Sequence, residues 1–175
     1  MPINNSCFRN RIPNLITLIR VILAPIFFFI VLNYSNIDSI FIFILTIITD
    51  GLDGYTARKL NLTSSFGAYF DVTADFIWIF AGFLAFVIMG LYPAWLLIII
   101  VLMFLQFIIT SKFKIPLYDP LGKFYGSFLF LTIFIGLISN LPLINTFITI
   151  LIVIFSIVSM LSRFLYLIKL GYWEN

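Results

Sequence analysis

Long apolar runs, interrupted by short polar breaks, make up almost the whole chain. The runs predict six helices, at residues 14–33, 38–59, 66–89, 93–111, 121–139 and 143–168. Each run is close to the roughly 20 residues that a helix needs to cross a bilayer. The breaks are rich in Asn, Ser, Gly and Pro, which is typical of turns. The pattern therefore predicts an all-α membrane protein with six transmembrane helices, and an even number of spans puts both termini on one side.

The basic residues indicate which side that is. The ten lysines and arginines lie before or early in helix 1, near the ends of helices 2 and 6, or around the connection between helices 4 and 5. The connections after helices 1, 3 and 5 contain none. The positive-inside rule therefore predicts that both termini are cytoplasmic. Residues 1–13 are interpreted as a short N-terminal interfacial segment, 14–170 as one six-helix domain and 171–175 as a C-terminal tail.

The composition excludes several classes of protein. With 63% hydrophobic and only 10% charged residues, the chain lacks the polar surface that a soluble domain needs. It has no histidine and a single cysteine, Cys7, which excludes imidazole catalysis, disulfides and cysteine-based metal clusters. The net charge of +3 does not indicate a nucleic-acid partner, because the basic residues are scattered rather than grouped in one patch.

Four aspartates interrupt the second and third apolar runs. Asp50, Asp53, Asp71 and Asp75 are four of only seven acidic residues in the chain. Each carboxylate within a membrane-spanning segment costs roughly 2.5–3.5 kcal/mol on insertion scales, so such residues mark functional sites. Helical periodicity puts Asp50 and Asp53 on one face of helix 2, and Asp71 and Asp75 on one face of helix 3. The short link between these helices makes them antiparallel neighbours, so the four carboxylates are predicted to converge about 10 Å from the cytoplasmic ends of the helices.

Four converging carboxylates need counter-charge, and hard divalent cations prefer such oxygen ligands. Two cations about 4 Å apart form a clamp for phosphoryl substrates. Small residues on the same faces leave room for a ligand, namely Gly54, Ala57 and Gly67. Arg58 offers a guanidinium fork for phosphate oxygens. The residues therefore favour a dimetal phosphoryl-transfer site that opens towards the cytoplasm.

Two other interpretations stay open at this level. The aspartates could pair with arginines. However, Arg58 and Arg20 are the only arginines within reach, and two positive charges cannot balance four negative ones. They could also line a cation channel or transporter. That alternative does not account for the accompanying glycines and arginine, nor for a site so far from the middle of the membrane.

The complete pattern resembles the signature of the CDP-alcohol phosphotransferase family. It is Asp50-x2-Asp53-Gly54-x2-Ala57-Arg58-x8-Gly67-x3-Asp71-x3-Asp75, with no position missing. Upstream, the segment from Ile12 to Arg20 is similar to the lead-in of phosphatidylglycerophosphate synthases. With the length and helix number, the resemblance covers most of the chain, although helices 4–6 match mainly by topology.

The resemblance implies an integral enzyme of the cell membrane that moves a phosphatidyl group, or its ether-lipid equivalent, from a CDP-activated lipid to a small alcohol and releases CMP. It implies two Mg²⁺ or Mn²⁺ ions, one bound by Asp50, Asp53 and Asp71 and the other by Asp50, Asp71 and Asp75, with Asp75 as general base. The implied contacts to the CDP-lipid are Asn14, Thr17, Gly54, Ala57, Arg58, Ser64 and Gly67. Ser64, Asn14 and Thr17 could equally be helix caps.

The acceptor is less well defined by the sequence. Glycerol 3-phosphate is favoured, because the segment from Gly54 to Asn61 looks most like glycerophosphate-using members. Phe76 stands where those members usually have lysine, so inositol phosphate or serine stays open. A phosphorylated acceptor needs cationic ligands, and Lys123 and Arg163 are the preferred residues. Lys112 and Lys114 fit membrane anchors equally well. The Gly122-x3-Gly126 pair favours close helix packing and could contribute to a homodimer face.

Overall fold

A computed structural model describes residues 12–33, 35–60, 65–111, 121–139 and 141–169, and all regular structure in these ranges is helical. Side chains are described there except at 12–16, 50, 52–60, 65, 66 and 68. The six helices are α1 (Ile12–Asn33), α2 (Asn36–Leu60), α3 (Ser65–Ile88), α4 (Trp95–Thr110), α5 (Gly122–Ile138) and α6 (Pro142–Lys169). Every predicted run corresponds to one of them, with ends that differ by two residues at most. The all-helical class is therefore confirmed.

Two helices in the described part of the chain are clearly long and apolar enough to cross a membrane. They are Tyr69–Ile88, within α3, and Pro142–Lys169, which is α6. In α1, α2, α4 and α5, the parts whose side chains are described are apolar but shorter than 18 residues. Six membrane spans and two cytoplasmic termini accordingly stay predictions.

Polar residues at the breaks set the ends of the helices. Ser35 precedes α2, and its hydroxyl accepts the backbone N–H of Asp38 at 3.4 Å and donates to the Asp38 carboxylate at 2.7 Å. The Ser35 hydroxyl thus caps α2, because it satisfies a backbone donor in the first turn. Gly90 follows α3 with φ of +73°, a left-handed conformation that favours glycine. Residues that favour a helix cap or a turn therefore mark the start of α2 and the end of α3.

The chain forms two compact units, and the division falls within α3, after Ala85. In the first unit, α1 and α2 pack against each other, and both contact α3 through Trp78. The fully buried Trp78 ring stacks on Phe27 of α1, with centroids 4.5 Å apart, and meets the Phe43 ring of α2 at 5.4 Å. The buried aromatic rings thus fix three helices around one point.

In the second unit, α6 packs against both α4 and α5. Phe155 of α6 stacks on two rings of α5, those of Tyr125 and Phe128, at centroid distances of 5.9 and 4.7 Å. The Tyr125 hydroxyl also lies 2.8 Å from the hydroxyl of Ser156, in a buried hydrogen bond between the helices. Aromatic packing and one polar contact therefore hold α5 to α6.

Two glycines of α5 allow a matched test of this packing. A Cβ at Gly136 would lie 3.0 Å from the Phe86 ring, whereas a Cβ at Gly126 would meet nothing within 4 Å. Alanine gains up to about 1 kcal/mol over glycine within a helix, but overpacking costs about 1–3 kcal/mol. We expect Gly136→Ala to lower the unfolding temperature and Gly126→Ala to leave it equal or higher, as measured by thermal unfolding in one detergent. A lower unfolding temperature for Gly126→Ala would instead indicate that this glycine packs against a second copy of the chain.

Candidate active site

Two of the four predicted carboxylates lie side by side on α3, and α1 holds both. The Thr17 hydroxyl donates a hydrogen bond of 2.5 Å to Oδ1 of Asp71. The Arg20 guanidinium donates from Nη1 to Oδ1 of Asp75, one helical turn further along, and forms an ion pair with it. Thr17 and Arg20 are each only 1% exposed, whereas the side chain of Asp75 remains 38% exposed. The carboxylates are thus anchored from the buried side and still reach the surface of this unit.

The spacing of residues on the two helices explains this pairing. The buried residues of one α1 face recur every three or four positions, at Thr17, Arg20, Ala24 and Phe27. The stripe of α3 that meets this face contains Asp71, Asp75 and Trp78. Polar contacts occupy one end of the interface and the stack of Phe27 on Trp78 the other, so the aromatic packing sets the register in which the polar groups meet.

The α2 half of the predicted site is described only by its backbone. Asp50, Asp53, Gly54, Ala57 and Arg58 all lie within α2, with side chains outside the described residues. The same holds for the side chain of Asn14 in α1, and Ser64 lies outside the described residues entirely. Gly67 lies in the first turn of α3, one turn before Asp71. Among the side chains that are described, no three Asp, Glu, His or Cys residues form a group that could hold a metal ion.

The described carboxylates fit a hard divalent cation. Asp71 and Asp75 supply oxygen ligands of the kind that Mg²⁺ and Mn²⁺ prefer. Each also has a hydrogen-bond partner behind it, as ligating carboxylates commonly do. Helical periodicity puts Asp50 and Asp53 on one face of α2. Together with Asp71 and Asp75, they would give a metal site whose protein ligands are all carboxylates.

The predicted acceptor-binding residues lie in the second unit, on different helices. Lys123 is exposed in the first turn of α5, and its ammonium lies 4.7 Å from the centre of the Phe124 ring. Arg163 is buried in α6 with 4% exposure.

The guanidinium of Arg163 contacts the end of α4. It donates to the hydroxyls of Thr110 and Ser111 at 2.5 and 3.2 Å and to the Phe107 carbonyl at 3.3 Å. It also lies 5.0 Å from the centre of the Phe107 ring. These contacts fix the orientation of the buried guanidinium between α4 and α6.

The sequence indicated Arg20 only as one of two arginines within reach of the aspartates, and it did not predict the ion pair with Asp75. It also assigned Thr17 to the lipid donor or to a helix cap and not to Asp71. One signal was available: Thr17 and Arg20 are three apart, and Asp71 and Asp75 are four apart, so each pair lies on one helix face. Which faces meet depends on packing, which this spacing alone does not determine.

Comparison with known proteins gives a consistent picture. Residues 10–169 match the family described as CDP-alcohol phosphatidyltransferase. A protein of Wigglesworthia glossinidia brevipalpis named CDP-diacylglycerol--glycerol-3-phosphate 3-phosphatidyltransferase is 38% identical over 109 residues, which cover 61% of this chain and 59% of the relative. Proteins of the same name from Bacillus subtilis and Escherichia coli K12 are 36% and 41% identical, over 55% and 37% of their lengths. The chain thus spans at most 59% of the length of these relatives.

Proposed function

Since the chain belongs to the CDP-alcohol phosphatidyltransferase family, we propose that it transfers a phosphatidyl group from CDP-diacylglycerol, or the equivalent group from an ether-linked CDP-lipid, to a small alcohol and releases CMP. The observation that carries this proposal is the pair Asp71 and Asp75, which α1 anchors on one face of α3 within a complete family motif. The names of the matched relatives support glycerol 3-phosphate as acceptor. Inositol phosphate and serine are the alternatives, because Phe76 replaces the usual lysine.

The proposed cofactors are two Mg²⁺ or Mn²⁺ ions, held by Asp50, Asp53, Asp71 and Asp75. When bound, such ions neutralise the diphosphate of the donor and stabilise the charge that develops on the leaving CMP. The carboxylate chemistry of Asp71 and Asp75 supports this assignment, as does the absence of histidine and of more than one cysteine from the chain.

The proposed reaction forms one P–O bond and breaks another. The acceptor oxygen attacks the lipid-side phosphorus, the bond from that phosphorus to the CMP oxygen breaks, and Asp75 takes the proton of the acceptor hydroxyl. The Arg20 guanidinium contacts Oδ1 of Asp75, and 38% of the Asp75 side chain stays exposed for contact with the acceptor hydroxyl. Contacts to the CDP part of the donor are proposed for Asn14, Thr17, Gly54, Ala57, Arg58, Ser64 and Gly67.

The protein is proposed to lie in the cell membrane with six spans, both termini in the cytoplasm and the site open to the cytoplasm. Large apolar side chains are exposed on all six helices, including Phe41, at 67%, and Leu143, at 84%. Such an extended apolar surface is rare in soluble monomers and suits lipid contact. The positive-inside pattern supports the orientation. Lys123 and Arg163 would then be cytoplasmic and are the proposed ligands of the acceptor phosphate.

An acceptor panel tests the proposed reaction. Purified full-length chain in nanodiscs receives CDP-diacylglycerol, Mg²⁺ or Mn²⁺, and glycerol 3-phosphate, inositol phosphate or serine in separate reactions. We expect CMP release with glycerol 3-phosphate to exceed release with either alternative by at least about tenfold, since serine lacks the phosphate that the proposed site binds and inositol phosphate carries it on a bulkier ring. No CMP release with any acceptor, together with cation flux in liposomes, would contradict the proposal and favour a channel.

A further inference from the structure

We propose that Thr17 and Arg20 are positioning residues of the metal centre: they hold Asp71 and Asp75 in the orientation in which these carboxylates bind divalent cations. This inference rests on the proposed function, because it concerns the centre proposed there. It assigns to α1 a role towards the metal ligands themselves, in addition to any role towards the lipid donor.

The geometry of the contact between Arg20 and Asp75 fits this positioning role. Its guanidinium lies on the buried face of α1, at 1% exposure, and pairs with Oδ1 of Asp75. The carboxylate itself keeps 38% of its side-chain surface exposed. A buried planar donor thus orients the group from behind while the group remains accessible on its other side. Arg20 also supplies positive charge beside an acidic residue of the cluster before any cation arrives.

Thr17 repeats the arrangement one turn earlier. Its hydroxyl, also buried, donates to Oδ1 of Asp71, which is partly exposed like Asp75. Because both donors lie on one rigid helix and both acceptors on another, the two contacts share one register, which the buried stack of Phe27 on Trp78 helps to fix. One helix interface therefore sets the orientation of two predicted ligands together.

This arrangement has a measurable consequence for metal affinity. Hydrogen-bond partners of metal ligands fix the orientation of those ligands, and their removal typically costs 10–100-fold in metal affinity or activity. A role in helix packing alone would instead change stability and leave the affinity of the folded protein unaltered. Metal affinity therefore separates the two roles.

The experiment measures Mn²⁺ binding to the full chain in nanodiscs without CDP-lipid, from the electron paramagnetic resonance signal of free Mn²⁺. We expect Arg20→Gln to weaken binding at least about tenfold and Thr17→Val about three- to tenfold. The conservative variants Arg20→Lys and Thr17→Ser should stay within about threefold of the original chain, because each keeps a donor. The matched control is Thr132→Val in α5, which removes a buried hydroxyl bonded to the carbonyl of Leu129 in its own helix, and it should not change Mn²⁺ affinity.

A double-mutant cycle shows whether Arg20 acts through Asp75. In the Asp75→Asn background, Arg20→Gln should change Mn²⁺ affinity by less than about twofold, since the group that it positions is gone. If Arg20→Gln does not fold, the Mn²⁺ affinity of Thr17→Val, compared with that of Thr132→Val, tests the positioning role. Unchanged affinity in the folded variants overturns the positioning role alone, and an original chain that binds no Mn²⁺ overturns both this role and the proposed metal centre. Normal Mn²⁺ binding without CMP release overturns the proposed reaction and leaves the positioning role standing.

Discussion

Replacement of Asp75 with asparagine is expected to reduce CMP release by about 10³-fold. Asparagine has nearly the same shape but cannot accept the proton of the acceptor hydroxyl, and general-base catalysis contributes about 10²–10⁴-fold. It also loses the charge that pairs with Arg20 and that would bind a cation. Binding of the CDP-lipid should largely survive, because most of the proposed donor contacts lie elsewhere, on α1, α2 and the start of α3.

The measurement is single-turnover CMP release in nanodiscs, combined with equilibrium binding of a labelled CDP-lipid. Asp38→Asn is the control, since Asp38 is an exposed aspartate in the first turn of α2 that is bonded to Ser35 and belongs to no proposed site. Its activity should stay within about twofold of the original chain. If Asp75→Asn kept substantial turnover, Asp75 would not be the base. If it lost donor binding as well, its main role would lie in holding the diphosphate.

The number and bounds of the helices could be predicted because they follow from local chemistry. An apolar run of spanning length satisfies its backbone polar groups only within a helix when lipid surrounds it. Such a run ends where serine, asparagine, glycine or proline favours a turn over continued helix. Ser35 does so before α2, where its hydroxyl accepts a backbone N–H, and Gly90 does so after α3 with its positive φ. The apolar run and the turn residues that end it are neighbours in the chain, so both can be recognised from the sequence.

The partners of the carboxylates could not be predicted in the same way. Thr17 and Asp71 are 54 positions apart, and Arg20 and Asp75 are 55 apart. Which face of α1 meets α3 depends on tertiary packing, such as the stack of Phe27 on Trp78, and helical periodicity alone allows several choices. The type and spacing of the aspartates thus predicted a set of carboxylates, but not the buried residues that contact two of them.

The role of Arg163 gives the second large expected effect. If its guanidinium binds the acceptor phosphate, Arg163→Gln should lower kcat/KM for glycerol 3-phosphate about 100-fold, mainly through KM, because removal of one member of a buried charge pair costs about 2–5 kcal/mol. The KM for the CDP-lipid should hardly change. Steady-state kinetics with each substrate varied in turn measure this difference.

The contacts of Arg163 with α4 allow a competing role, and stability separates the two. Its hydrogen bonds to Thr110 and Ser111 join α6 to α4, and each hydrogen bond of this kind to a charged group contributes about 1.5–3 kcal/mol to stability. A lower unfolding temperature with an unchanged KM for glycerol 3-phosphate would therefore assign Arg163 to helix packing alone. Lys169→Gln, which removes an exposed charge from the last turn of the same helix, should alter neither quantity. Only a specific rise in the KM of the phosphorylated acceptor, absent from this control, would place the buried arginine in the acceptor site.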